Sequence, residues 1–315
     1  MRKKTFVTIA VVTAMSLSLA ACNRTSPAAP GATGAKSAKS ATLVISTLNN
    51  PFFVSVADGA KAKAKTLGMT IDVQNANNAD QASLDLASAA LNKKPAVLIM
   101  DPVSSASGGS IVTLANTAGV PVVAFDRMPK GGDLKAFIGY DAIQAGKNGA
   151  KSLGEALGGK GKIVEIQGIM GTSVAQERSK GFNEGIKAFP GIKVVATQTA
   201  NFDRTQGLDV TTNLMQAHPS VVGIFAENDE MALGAIKAVG AKAGKTVKLC
   251  AFDGTADGIA AVKAGTLSCT VAQLPKDLGK LAVDQAVKAL TGKADATVPV
   301  MTSVITAANV ATFKG

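Results

Sequence analysis

In this chain, polar residues stand directly behind apolar runs again and again: Asn49 and Asn50, Asp101, Asp126 with Arg127, Asn228 with Asp229, and Asp253. Carboxylates accept hydrogen bonds, guanidinium groups donate them in a fixed fork, and amides do both. This set suits reversible recognition of a small polar molecule. Singly, each residue also reads as a helix cap or turn former. Together, with an Arg among them, they outline a polar cleft. Beside the first of them the stretch S-T-L-N-N-P-F-F places two aromatic rings, Phe52 and Phe53, just after an Asn-Pro turn, in a chain with 11 Phe, one Tyr and no Trp.

The elements that must position these groups follow from the apolar pattern. Short β-branched runs (A-T-L-V-I-S-T, M-T-I-D-V-Q-N, A-V-L-I-M-D, V-P-V-V-A-F-D and A-F-I-G-Y) fill the first half. G-K-I-V-E-I-Q-G, I-K-V-V-A-T-Q, V-V-G-I-F-A-E-N-D, V-K-L-C-A-F-D and L-S-C-T-V-A-Q fill the second. Helical patterns separate most of these runs, which predicts parallel sheets covered on both faces. The tripeptide Ala-Phe-Asp ends a run in each half, at 124–126 and 251–253, so the fold class is α/β with two similar doubly wound lobes. Ligand groups then belong beyond the carboxyl ends of the strands. Asn50 caps a helix that Pro51 opens, and Phe53, Val56, Ala60, Ala64 and Leu67 recur at helical spacing toward the sheet. Phe52 lies about 100° round that helix and is expected to face the crevice.

Composition sets the outer limits. With 315 residues, 47% of them hydrophobic, the chain can bury the cores of two domains. The net charge of +11 is no nucleic-acid signature, because six of the cations lie before residue 41 and the remaining +5 is scattered along helical patterns. M-R-K-K, an apolar stretch from Phe6 to Leu19 and L-A-A-C form an export signal over 1–21. The L-A-A-C ending resembles the bacterial lipobox, which makes Cys22 the lipidated first residue of the mature chain; the other reading is ordinary cleavage near Ala21. Residues 22–40 are rich in Ala, Ser, Gly and Pro and read as a tether. Cys250 and Cys269 fall in strand patterns; if those strands are neighbours a disulfide can form, and two buried free thiols are the other reading. The single His218 sits in a turn sequence, and there is no C-x-x-C, so neither zinc nor another cofactor is expected.

A nucleotide-using enzyme is a competing class. Gly154 to Lys160 resembles a phosphate loop, but Gly161 stands where Ser or Thr is needed, and the segment precedes a strand. Gly240 to Thr246 is one residue short of that motif, and no G-x-G-x-x-G follows the first strand.

The residues also carry a family resemblance. S-T-L-N-N-P-F-F-V-S, Asp126-Arg127, Q-G-I-M-G-T-S-V-A-Q-E-R (167–178), N-F-D-R (201–204), A-E-N-D-E-M-A-L-G-A (226–235), F-D-G-T-A-D-G (252–258) and V-A-Q-L-P (271–275) resemble, in order, the ribose-binding members of the type I periplasmic binding proteins. The likeness runs from about Thr42 to about Pro299. It implies a protein that closes two hinged lobes around one monosaccharide, D-ribose first, and delivers it to an ABC-transporter permease, with a chemoreceptor as a further partner. It also implies sugar contacts at Asn50, Phe52, Phe53, Asp126 and Arg127 from one lobe and Arg178, Phe202, Asn228, Asp253 and Gln273 from the other. Both Phe52 and Phe53 then pack against the sugar with Phe202, whereas helical spacing gives Phe53 to the core. Asp101 stands where those members have Asn, and a carboxylate only accepts. The preferred sugar is thereby open among ribose, allose, galactose, xylose and fructose types. The lobes implied are 41–140 with 274–302 and 141–273 with 303–315, crossing near Tyr140-Asp141, Gln273-Leu274 and Met301-Thr302. Sugar-responsive regulators share this core, but an export signal occupies the place of their DNA-binding helices. The expected protein is a monomer that meets the membrane only through its lipid, and it is not an enzyme.

Overall fold

The computed structural model describes residues 40–314. The export signal, Cys22 and almost all of the tether lie outside the described residues. Two six-stranded sheets form the framework. The first contains β1 (Ser40–Ile45), β2 (Thr70–Asn75), β3 (Val97–Met100), β4 (Val122–Phe125), β5 (Ala136–Gly139) and β11 (Thr297–Pro299) in the order β11-β5-β4-β3-β1-β2, all parallel. The second contains β6 (Lys160–Gln167), β7 (Gly191–Thr199), β8 (Val221–Ala226), β9 (Lys248–Asp253), β10 (Cys269–Ala272) and β12 (Ser303–Thr306). Its order is β12-β10-β9-β8-β6-β7, and only β12 runs antiparallel. This is the doubly wound α/β architecture expected from the alternation, and each of the ten apolar runs contains a strand. The strands β11 and β12 were not expected.

Helices cover both faces. The first sheet carries α1 (Pro51–Thr66), α2 (Asp80–Asn92), α3 (Ser105–Thr117) and α9 (Pro275–Ala289). The second carries α4 (Ala142–Ala156), α5 (Ser173–Gly185), α6 (Arg204–Ala217), α7 (Asp229–Val239) and α8 (Ala256–Lys263). The central strands β3 and β4 are buried at every residue, as sheets packed on both sides require. The chain passes from one sheet to the other between β5 and α4, between β10 and α9, and between β11 and β12.

Helix α1 explains how the paired rings are held. The Asn50 side chain accepts from the Phe52 amide at 2.9 Å, and Pro51 takes the first turn, where its missing N–H costs nothing. The row Phe53, Val56, Ala60 and Ala64 is buried as its spacing predicts, but Leu67 is not. Leu67 is the C-cap, and Gly68 beyond it turns left-handed at φ 63°, so the helix ends before that face returns to the sheet. Helices α1 and α9 touch backbone to backbone. A Cβ on Gly279 would fall 2.0 Å from the Val56 carbonyl oxygen, and one on Gly59 2.1 Å from that of Lys276.

Cys250 and Cys269 stand opposite one another on the adjacent strands β9 and β10 and form a disulfide, with Cα atoms 4.6 Å apart. The bridge selects between the two readings of these cysteines. Closing a loop of sequence separation 19 stabilises a domain by about 3 kcal/mol. Reductant is expected to lower the urea midpoint by a corresponding amount, and an unchanged midpoint would mean that the thiols are free in the native protein.

Candidate functional site

The carboxyl ends of the strands in the two sheets face each other across a cavity with about 230 Å³ of empty space. The cavity is small, and its walls lie close together. The closure is bridged at its rim: the Ser105 amide donates to the Gly171 carbonyl at 2.9 Å, and the Met128 amide to Ser173 Oγ at 2.8 Å.

Nine of the expected residues line this cavity: Asn50, Phe52, Phe53, Asp126, Arg127, Arg178, Phe202, Asn228 and Asp253. All but Arg178, which stands in the middle of α5, come from a strand end, a helix start or the turn between them. Asn50 and Asn228 cap α1 and α7, so their reading as caps and their place in the cavity hold together. The repeated Ala-Phe-Asp has a shared geometry. Asp126 and Asp253 both turn to positive φ, 55° and 110°, directly after the apolar pair. Non-glycine residues avoid that region, and the surrounding sheet compensates the cost here. Phe202 is left-handed too, at φ 61°. The paired rings meet edge to face at 5.2 Å, and both are buried in the core around the first sheet as well as lining the cavity. Core and cavity wall are therefore one role for both Phe52 and Phe53, where helical spacing had divided them.

Two arginines organise the charge. The Arg127 guanidinium lies 5.2 Å from the Phe53 ring centre and 5.4 Å from that of Phe202, so it joins one sheet's ring to the other's. It donates to the carbonyls of Pro102 (3.2 Å) and Val103 (3.4 Å). Arg178 is held more tightly. Its Nη1 donates to the Glu227 carbonyl at 2.7 Å, its Nε to the Tyr140 hydroxyl at 2.7 Å, and its Nη2 also reaches that hydroxyl. Its guanidinium stacks 3.8 Å above the Phe252 ring and 3.8 Å from Asp253 Oδ1. Burial lowers the arginine's proton affinity, but Tyr140, Asp253 and Asp126 outweigh it and hold Arg178 charged. Burial pushes the Asp253 carboxyl well above its usual range, against the pull of Arg178. Oδ1 of Asp126 has no hydrogen-bond partner among the described residues.

Two expected residues stand elsewhere. Asp101 lies behind Arg127, with Oδ1 3.8 Å from its Nε, and its oxygens make no hydrogen bond among the described residues. Gln273, whose backbone N–H donates to the Asp253 carbonyl, lines a neighbouring cavity. Val174 of α5 was not anticipated as a lining residue, nor were Phe252 and Glu227 anticipated as supports of Arg178. Phe252 had a signal, since it is the ring of the second Ala-Phe-Asp. Val174 had none beyond its helical register.

The buried Asp101 gives a pH dependence. Burial raises its carboxyl from 3.8 to about 7, with Asp126 adding to the rise and Arg127 opposing it. The folded state therefore holds this proton more tightly than the unfolded chain, so the contribution is fully present below pH 3.8 and is lost as pH rises to about 7. Asp101→Asn removes that dependence. Its stability relative to wild type is expected to rise by about 3–4 kcal/mol between pH 4 and pH 8. Urea unfolding at the two pH values measures it, and a pH-independent difference would refute it.

The two sheets, the crossings between them and a polar, ring-lined cavity at the strand ends define a solute-binding protein of the two-lobed α/β type. Residues 41–294 match the periplasmic binding protein domain, and the chain belongs to that family. It is 42% identical over 251 residues to the ribose import binding protein of Salmonella typhimurium (strain LT2), covering 80% of this chain and 84% of that one. It is 35% identical to the D-allose-binding periplasmic protein of Escherichia coli K12, over 77% of this chain and 83% of the relative. A solved periplasmic solute-binding protein of an ABC transporter from Actinobacillus succinogenes with bound D-allose superimposes with a TM-score of 0.82, 30% identity, and coverage of 87% and 99%.

Proposed function

We propose that this protein binds one monosaccharide outside the cytoplasm, D-ribose first and D-allose as the alternative, and presents it to an ABC-transporter permease. The observation that carries the reading is the single cavity in which two Asp–Arg sets and three Phe rings converge from both sheets. Sugar hydroxyls both donate and accept, and carboxylate, guanidinium and amide groups supply fixed partners for them. Hydrogen bonds to charged groups contribute about 1.5–3 kcal/mol each, and a Kd of about 1 μM needs roughly 8 kcal/mol. A handful of such bonds with ring packing against C–H faces meets that figure. A wrong epimer leaves a buried partner unpaired, which gives selectivity. The 42% identity to a ribose import binding protein supports ribose.

The rest of the reading follows from the family and the N-terminal sequence. The protein is exported, is lipid-anchored through Cys22, acts as a monomer, engages a chemoreceptor as a second partner, and binds without catalysis. Its lobes part to admit the sugar and hinge at the three crossings. A thermal-shift panel of pentoses and hexoses tests it: ligand that binds only the native state raises stability as RT ln(1 + [L]/Kd). At 100 Kd the expected gain is about 2.7 kcal/mol for the preferred sugar, and no shift with any sugar would sink the reading.

A further inference from the structure

We propose that Tyr140 is a positioning residue for the sugar site: its hydroxyl holds Arg178 away from Asp253, so that both groups reach the cavity unpaired. The inference rests on the sugar-binding reading above.

Buried groups of opposite charge normally close to hydrogen-bond contact, at about 2.7–2.9 Å. Here Arg178 Nη2 stops 3.8 Å from Asp253 Oδ1, although both side chains are buried. The Tyr140 hydroxyl accounts for the gap. It accepts from Nε at 2.7 Å and also from Nη2, along one edge of the guanidinium, while the Glu227 carbonyl accepts from Nη1 at 2.7 Å. A guanidinium has five N–H bonds. Three are engaged by groups that support it, which leaves one on each terminal nitrogen of a residue that lines the cavity. Asp253 lines the same cavity, and Arg178 reaches it by charge alone.

Tyr140 can act in this way because its ring is fixed. Its backbone follows β5 of the first sheet and precedes Asp141, the cap of α4, at the first crossing. Its ring belongs to the second sheet, stacked on Phe252 at 5.3 Å and 26° and packed against Ala145 and Val271. The Phe252 ring also carries the Arg178 guanidinium at 3.8 Å, so one ring sets both partners. Burial pushes the Tyr140 hydroxyl well above its usual range, with Arg178 opposing the rise and Asp126 and Asp253 adding to it, so the phenol is neutral. A neutral hydroxyl competes with the Asp253 carboxylate by accepting two N–H bonds at once. Because the residue stands at a crossing, its hold on Arg178 depends on the same backbone about which the lobes turn.

Tyr140→Phe keeps the ring and its stacking and deletes the hydroxyl, so Arg178 is expected to close on Asp253. Calorimetry should then show affinity for the preferred sugar weakened by about tenfold, the order of one hydrogen bond to a charged group, while the urea midpoint of the sugar-free protein stays level or rises. A residue that only packs would lower the midpoint and leave the affinity alone, and that result overturns the inference. In an Asp253→Asn background there is no carboxylate to close on, and Tyr140→Phe is expected to weaken binding by less than about twofold more. Should Tyr140→Phe fail to fold, fluorotyrosine in the native chain gives one fluorine resonance, because the chain has one Tyr. Saturating sugar is expected to move it as the remaining N–H bonds of Arg178 are engaged, and a resonance that stays in place overturns the inference. Wild type that binds a sugar while Tyr140→Phe binds it equally well overturns this inference alone. Wild type that binds no sugar overturns the sugar-binding reading, and the inference falls with it.

Discussion

Replacing Arg178 by Ala is expected to weaken sugar binding at least tenfold and to cost about 3–5 kcal/mol of stability, because it removes one partner of a buried charge pair. Arg178 is 3% exposed and ties together Tyr140, Glu227, Phe252 and Asp253 within one guanidinium. Without it, Asp253 remains buried with no cation beside it, and a carboxyl already held well above its usual range is driven further up. A protonated Asp253 presents a different donor and acceptor pattern to the cavity. Arg178→Lys tests whether charge or shape is needed. A lysine ammonium is a point charge that cannot reproduce the planar fork to Tyr140 and Glu227, so Lys is expected to recover part of the stability and little of the affinity. Calorimetry and urea unfolding separate the two effects. Unchanged affinity in Arg178→Ala would remove the residue from the site.

The alternation of apolar runs with helical stretches made both sheets legible, because strands buried on two faces must be continuously apolar. The strands β11 and β12 escaped that logic. Thr297–Pro299 is a three-residue edge strand with no buried residue, and Ser303–Thr306 buries only Ile305, so neither needs an apolar run. The cavity wall was legible where residues follow strand ends, since chain direction alone brings Asp126 to the carboxyl edge of the first sheet and Asn228 and Asp253 to that of the second. Side-chain aim was not. Asp101 follows β3 just as Asp126 follows β4, yet it lies behind Arg127 instead of lining the cavity. The neighbouring strand decides this, and local sequence does not record it. The resemblance likewise brought Gln273 to the sugar; it lines the adjoining cavity, and its buried side chain makes no hydrogen bond among the described residues.

Phe52 and Phe53 serve the core and the cavity at once, and truncating them one at a time shows how each divides its role. Each is 2–3% exposed, so Phe→Ala at either is expected to destabilise by about 3–5 kcal/mol through lost burial and the void left behind. The rings meet at 5.2 Å and 86°, an edge-to-face pair that carries about 0.5–1.5 kcal/mol beyond burial. The double variant should therefore cost less than the two single losses together. Affinity is expected to separate them. Phe53 lies 5.2 Å from the Arg127 guanidinium, and its loss frees that group as well as removing ring contact. Phe52 has no such partner among the described residues and lines two cavities. Sugar binding is expected to weaken at least tenfold in Phe53→Ala and about threefold in Phe52→Ala, ratios worth about 1.4 and 0.6 kcal/mol. Phe→Leu at each position keeps most of the volume while deleting the aromatic face, so it recovers stability without recovering the ring's part in affinity. If both leucine variants bind sugar as wild type does, the rings are core alone, and the place of the sugar against them is wrong.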